Sequence, residues 1–574
     1  MKKHLKYHHL AIPTTVPREG EVYLEEFKVY VVGYDTNPYG VEWMRFELDS
    51  PLPELVKTIP HIAFEVDDLA AEIEGKDVLI EPNSPSEGVT VAFIVHNGSP
   101  IEFLQYDKRR EKEEMVLEKL TDEIVDFYTN LPQHPVMKKV TPGEIRNHLA
   151  VNYDFSNPIP LDHVMDDVSQ MMREWIVQTT HPRYFGLFNP TSTLASITAD
   201  TFVALYNPQL AAWSHAPAAN EIEQFVLKYL MGYFGFEPSS SHAAFTTGGA
   251  EANLSAVLAA LTHRFPNYDE HGLAQALSAQ PRIYLSAEAH DSFVKIAHIT
   301  GLGRKSLQVI PVDDQLKMDM NALSVQYNKD KAAGYLPFLV VGTAGTTGAG
   351  IIDPLPELRD FCQSHGLWFH VDAAWGGAAV LSTRLRKYLQ GIEGADSITF
   401  DAHKWLSVPM GAGMFFCKHN ETVLKTFRVS TAYMPGKTSD TIDPYVSTIQ
   451  WSRRFIGLKV FMTLAELGIH NLAARIEHQT AMGELLRQKL RESGWKILNE
   501  TPLPLVCFTH PELNSQELSA LLQQLYKEQN VWISEVYLNK QIHALRACIT
   551  SFRTQEEDIV FLVKALKGAA SHKL

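Results

Sequence analysis

The chain has 574 residues, 45% hydrophobic and 21% charged, with 67 acidic against 51 basic side chains and a formal net charge of −16. The length exceeds what one hydrophobic core supports, so two or more domains are expected. The acidic balance argues against nucleic acid or an anionic membrane as the main partner. The cysteines, Cys362, Cys417, Cys507 and Cys548, lie far apart and suggest neither a zinc ribbon nor a disulfide framework. The start, "MKKHLKYHHLAIPTT", lacks the apolar centre of a signal peptide. No apolar run reaches the roughly 18 residues of a membrane span. The expected location is the cytoplasm.

Residues 1–107 read as short alternating strands: "HHLAIPT", "EEFKVYVV", "VEWMRFELD", "HIAFEVDD", "VTVAFIVHN" and "PIEFLQY", with a short helix at "DLAAEIEG". The charged stretch at 108–120 reads as a solvated linker or the start of a helix. Residues 121–455 open with helical patterning, then alternate helices with the apolar strands "PRIYLS", "LPFLVVG", "LWFHVDA", "ADSITF" and "AGMFF". Such alternation predicts an α/β domain with a mainly parallel sheet. Residues 456–574 mix helices with "LPLVCF" and "LRACIT", a smaller α+β domain. No internal repeat stands out.

In a parallel α/β sheet, ligands bind beyond the carboxyl ends of the strands. Several strands here end in chemistry-bearing residues. "TTGGAEANL" (246–254) is a glycine turn into a helix, whose N–H groups at Gly248, Gly249 and Ala250 can hold a phosphate. His290 follows one strand, Thr346 and Thr347 another. Asp372 ends a very apolar strand, and His403 and Lys404 follow the next in "DAHKW". A lysine for a Schiff base, a carboxylate for a ring nitrogen and a dipole-lined phosphate cup are what pyridoxal 5′-phosphate requires.

"HVDAAWGG" followed by "DAHKW", together with "HPRYFGLFNPTS", "AEAHDS" and "SRRFIGLKVF", resembles the group II pyridoxal-phosphate-dependent amino acid decarboxylases over residues 120–570. The resemblance implies a fold-type I homodimer with active sites at the subunit interface. It implies that Lys404 carries the cofactor, Asp372 pairs with the pyridine nitrogen, and Ala374 and His290 cover the two ring faces. Gly248, Gly249 and Ala250 would bind the phosphate, with His403 nearby. Tyr433, in "RVSTAYMPGK" on a Gly-, Ser- and Thr-rich segment, would be the proton donor. Many members have Asn-Pro or Asp-Pro before His-Lys where this chain has Asp401-Ala402, and Asp401 is expected to face away from the phosphate.

The side-chain pocket of the resemblance falls on Tyr184, Phe185, Leu187 and Phe188, with Trp213 added from "NPQLAAWSHAPAANEIE". That apolar, aromatic set favours tyrosine, DOPA or tryptophan as substrate. An acidic amino acid is the alternative, with Arg183 as its partner. An aminotransferase would clamp the substrate carboxylate with an arginine, and Arg546 could be mistaken for that clamp, although an ion pair inside the small domain is the preferred reading of it. A carbon–carbon lyase is also conceivable.

The N-terminal "HHLAIPT", "HIAFEVDDL" and "PIEFLQY" resemble vicinal-oxygen-chelate domains, paired βαβββ modules of the glyoxalase type. The resemblance implies a divalent metal at His9, His61 and Glu102, with Glu42 or Glu47 as candidates for a fourth ligand. A metal-free packing module is the alternative.

Overall fold

The computed structural model describes residues 5–86, 88–429, 441 and 443–571. The chain forms two compact units, one of Met1–Thr129 with Pro158–Asp166, the other of Asn130–Asn157 with Asp167–Leu574.

The first unit is built on an eight-stranded sheet: β1 (Lys6–Pro13), β2 (Val22–Leu24), β3 (Val29–Val32), β4 (Val41–Phe46), β5 (His61–Glu65), β6 (Val78–Ser86), β7 (Val89–His96) and β8 (Ser99–Tyr106). Their spatial order is β2-β3-β4-β1-β5-β8-β7-β6. The order holds a repeat. β1 pairs β4 in parallel, and β4, β3 and β2 follow antiparallel. β5 pairs β8 in parallel, and β8, β7 and β6 follow antiparallel. The halves join through the antiparallel pair β1 and β5. Strand pairing constrains alternation and not side-chain identity. β7 shows that alternation: Val91 and Phe93 pack into one apolar cluster, Ala92 and Ile94 into another on the opposite face.

Residues 108–120 are not an irregular linker. They begin a 23-residue helix, Lys108–Asn130. The segment is rich in lysine, arginine, glutamate, leucine and methionine and holds no glycine or proline, a strongly helix-forming composition despite its charge.

The second unit holds a seven-stranded sheet of β9 (His242–Thr246), β10 (Pro281–Ser286), β11 (Leu307–Ile310), β12 (Leu336–Thr343), β13 (Trp368–Asp372), β14 (Ser397–Asp401) and β15 (Gly413–Cys417), ordered β11-β10-β12-β13-β14-β15-β9. β10 to β14 run parallel, and β15 is antiparallel to both its neighbours. β13 and β14 are buried along their whole length, as continuous rather than alternating apolar runs require. The register sets Thr343, Asp372 and Thr399 side by side, so the carboxyl ends of the central strands open at one level.

A four-stranded antiparallel sheet follows: β16 (Lys496–Ile497), β17 (Leu505–Thr509), β18 (Ser534–Leu538) and β19 (Ile542–Cys548), ordered β16-β17-β19-β18. Helices Ser515–Glu528 and Glu556–Ser571 complete its core through Leu521, Leu525, Leu562 and Leu566.

Candidate active site

The strand ends of the seven-stranded sheet open onto a cavity of about 320 Å³. Thr246 ends β9, and the chain turns at Gly248 into the helix Gly249–Arg264. The turn is held by Glu251, which accepts hydrogen bonds from Thr247 N–H at 2.8 Å and Thr247 Oγ1 at 2.7 Å. Gly413 lets β15 pass beneath, since a Cβ there would lie 2.6 Å from Gly248 Cα. Gly248, Gly249 and Ala250, at the start of this 16-residue helix, line the cavity and make a ready anion cradle.

His290, Thr347, Asp372, Ala374, His403 and Lys404 line the same cavity. Asp372 Oδ1 accepts from the backbone N–H of Ala374 at 3.2 Å, and Oδ2 accepts from Asn253 Nδ2 at 2.9 Å. Asn253 in turn accepts from Thr399 Oγ1 at 2.6 Å and meets His370 Nε2 at 3.0 Å. This layer beneath the carboxylate is absent from the sequence reading. Its signal was within reach, because Asn253 lies four residues after Gly249 and so one helical turn along the same face. Burial pushes the imidazole of His403 down from its ordinary value, against the pull of Asp401.

Other expectations are corrected. Asp401 does not face away from the cradle. It lies buried on the cavity wall, with Oδ2 3.1 Å from Lys404 Nζ and 3.6 Å from His403 Nε2. Thr346 is buried, its Oγ1 accepting from Ile351 N–H at 3.0 Å, and it is not among the described lining residues. Nor are Tyr184, Phe185 and Trp213. Tyr184 stacks on Trp532 at 5.1 Å, Phe185 is part of the core of the four-stranded sheet, and Trp213 Nε1 donates to Glu221 at 2.8 Å. Short apolar runs do not reveal which side of a segment faces a cavity. Phe188 alone of the aromatic set lines it, with its ring 4.5 Å from that of Trp375 and 5.6 Å from Lys404 Nζ.

The two arginines exchange roles. Arg183 Nε donates to Asp558 at 2.9 Å and its guanidinium lies over Phe561. Arg546 is buried but makes no carboxylate pair among the described residues. It donates to the carbonyls of Gly186 at 2.6 Å and Thr347 at 3.1 Å, its Nη2 finds no hydrogen-bond partner, and it lies 5.0 Å from the Phe188 ring. Tyr433 lies outside the described residues.

In the first unit, His9, His61 and Glu102 converge, with ligand atoms all within 4.8 Å of one another. Both His9 Nε2 and His61 Nε2 lie 3.3 Å from Glu102 Oε2, while His9 Nε2 and His61 Nδ1 are buried without a hydrogen-bond partner among the described residues. The repeat orders a fourth group. His61 stands two residues before Ala63, which pairs with Glu102; His9 stands two before Ala11, which pairs with Glu42. Glu42 Oε2 is 3.6 Å from His9 Nε2. Glu47 instead accepts from Tyr23 and Tyr30. Burial pushes the Glu102 carboxyl up, but the neighbouring imidazoles of His61 and His9 outweigh it and hold the group at about 2. The cluster opens on a mostly apolar cavity of about 300 Å³.

Residues 142–510 match the model of the pyridoxal-dependent decarboxylase conserved domain. The chain belongs to the group II pyridoxal-phosphate-dependent amino acid decarboxylases. This decarboxylase is 28% identical over 462 residues to the aromatic-L-amino-acid decarboxylase of Bacillus atrophaeus, covering 78% of this chain and 93% of the relative. It is 30% identical over 408 residues to the acidic amino acid decarboxylase GADL1 of Bos taurus, covering 67% and 77%. The structure of Catharanthus roseus tryptophan decarboxylase in complex with L-tryptophan superposes with a TM-score of 0.74 at 25% identity, covering 81% of this chain and 99% of that one. The decarboxylase thus has the fold-type I architecture, uses pyridoxal 5′-phosphate and releases CO₂ from an amino acid. The cavity suits that cofactor: glycine at the helix start, an amine on one wall and a hydrogen-bonded carboxylate on the floor.

Proposed function

We propose that the decarboxylase acts on L-amino acids with an aromatic side chain, such as tyrosine, DOPA or tryptophan. The observation that carries this is the wall of Phe188 and Trp375 beside Lys404. Aromatic rings gain from offset contact with aromatic walls beyond simple burial. The cofactor supplies an electron sink for the pair released with CO₂. Lys404 would be its attachment point, and Asp372, held by Asn253 and Ala374, would keep a proton on the ring nitrogen. The N–H groups of Gly248, Gly249 and Ala250 would receive the phosphate, and Thr347, His403, His290 and Ala374, which line the same cavity, would help to hold the cofactor. Tyr433 is assigned the return of a proton to Cα on its motif.

The test is CO₂ release over a panel of L-amino acids, with Lys404→Ala as control. Release with tyrosine, DOPA or tryptophan, abolished in the variant, is the expected result. Release only with glutamate, aspartate or cysteine sulfinate overturns the substrate assignment. That second reading has one supporting observation: the unpartnered Nη2 of buried Arg546 beside Phe188, which suits a substrate carboxylate. Keto-acid or aldehyde products in place of CO₂ would point to transamination or carbon–carbon cleavage.

The exposed apolar residues Leu194, Phe202, Leu205 and Tyr206 on one helix and Phe225 on the next support a homodimer. No helix among the described residues is long and apolar enough to cross a membrane. The cytoplasm is the proposed location.

For the first unit the proposal is a vicinal-oxygen-chelate-type domain holding a divalent metal on His9, His61, Glu102 and Glu42. Its support is the paired His and Glu of the repeat and the two orphaned histidine nitrogens. Mixed imidazole and carboxylate donors suit a divalent transition metal. Metal analysis of untagged protein tests this: about one equivalent, lost in His61→Ala, is expected, and no metal overturns it.

A further inference from the structure

The anion cradle is flanked by a carboxylate of the chain itself. A Cβ built on Gly249, the first residue of the helix, would lie 3.0 Å from Asp401 Oδ2 and 3.5 Å from Oδ1. Asp401 is almost fully buried, its Oδ1 has no hydrogen-bond partner among the described residues, and its Oδ2 is 3.1 Å from Lys404 Nζ. His403 Nε2, at 3.6 Å from Oδ2, is the other titratable group beside it among the described residues. A buried carboxylate oxygen without a donor is costly. A negative group placed beside a second anion raises the cost of binding that anion.

We propose that Asp401 weakens the hold on the cofactor's phosphate, so that the decarboxylase exchanges pyridoxal 5′-phosphate with solution and its active fraction follows the free cofactor concentration. The inference rests on the assignment of Gly248–Ala250 as the phosphate cradle. Two features of Asp401 act in the same direction. Its charge opposes the phosphate, and its 3.1 Å contact with Lys404 Nζ engages the amine that must be free to attach the cofactor. An asparagine keeps the shape and removes the charge. The phosphate component is separable, because pyridoxal presents the same aldehyde without the phosphate, and any effect through Lys404 is common to both.

The experiment measures dissociation constants of pyridoxal 5′-phosphate and pyridoxal for cofactor-free full-length protein, by quenching of tryptophan fluorescence, in wild type, Asp401→Asn and Asp401→Ser. The expected result is that both variants increase the preference for the phosphorylated form at least about tenfold, the scale of one like-charge contact in a partly buried site. They should also slow cofactor loss on dialysis. A wild-type preference for the phosphorylated form that neither variant increases overturns the role of Asp401 and leaves the cradle standing. No preference in any form overturns the cradle itself, and with it this proposal. The serine variant guards against a folding defect specific to asparagine, with far-UV circular dichroism as the check on both.

Discussion

Asn253 donates its side-chain amide to Asp372 Oδ2 at 2.9 Å from the buried face of the helix that begins at the glycine turn. One helix therefore presents both the anion cradle and the group that orients the buried carboxylate. Asn253 also accepts from Thr399 Oγ1 at 2.6 Å, so both ends of its amide are engaged and its orientation is set by its neighbours.

Asn253→Ala should leave one oxygen of Asp372 without its donor and Thr399 without its acceptor. Losing a hydrogen bond to a buried charge costs roughly 1.5–3 kcal/mol. The expected outcome is a fall of about 10- to 100-fold in kcat/KM with weaker cofactor binding, read by steady-state CO₂ release and by the cofactor's absorbance. Unchanged cofactor affinity and rate would show that Asp372 is held by the Ala374 N–H and strand register alone.

Burial holds the imidazoles of His242 and His370 down at about 4. Unfolding returns each to about 6.5. Between those values the unfolded chain binds more protons than the folded one, so stability rises with pH across that window and falls on acidification. Taking the protein from pH 7 toward pH 4 should withdraw up to about 3 kcal/mol for each of the two. The urea midpoint measured at pH 7, 6 and 5 checks this. A midpoint that is flat or rises toward pH 5 contradicts it.

Arg453 Nη2 donates to Glu223 Oε2 at 2.8 Å, both groups being buried, and Glu223 Oε1 accepts from the N–H groups of Ile456 and Gly457 at 3.0 and 2.9 Å. Removing one partner of such a pair strands the other. Glu223→Ala should cost about 3–5 kcal/mol of stability, seen as a lower denaturation midpoint. Because Gly457 opens the helix Gly457–Glu492, the same variant should loosen that helix start, visible as faster amide exchange there.

Metal removal should act on the first unit. Free metal at about one hundred times its dissociation constant adds about 2.7 kcal/mol to whatever folds with it. Chelator treatment should therefore lower the first thermal transition, and added zinc or manganese should restore it in wild type but not in His61→Ala. A transition indifferent to chelator would leave His9, His61 and Glu102 as a buried polar cluster without a metal.

Much of the catalytic half was legible because its residues sit at fixed offsets from recognisable strands. Lys404 follows β14 by three residues, Asp372 is the last residue of β13, and the glycine turn follows β9 by two. In a parallel sheet such positions share one edge whatever the loops do. Side-chain direction was not legible in the same way. Tyr184, Phe185 and Phe188 occupy one short segment, yet Tyr184 meets Trp532, Phe185 enters the core of the four-stranded sheet and only Phe188 reaches the cavity.

What the sequence determined by itself is therefore the cofactor chemistry, the parallel sheet and the alternating strands of the first unit, since all of these follow from residue type and local period. Tertiary structure decided the rest. It turned Asp401 toward the cradle, tied Arg183 to Asp558 while leaving Arg546 beside Phe188, and paired β1 with β4 so that Glu42 approaches His9. Each of these contacts joins groups whose distance depends on strand register and helix packing, and neither is encoded in the spacing of residues along the chain.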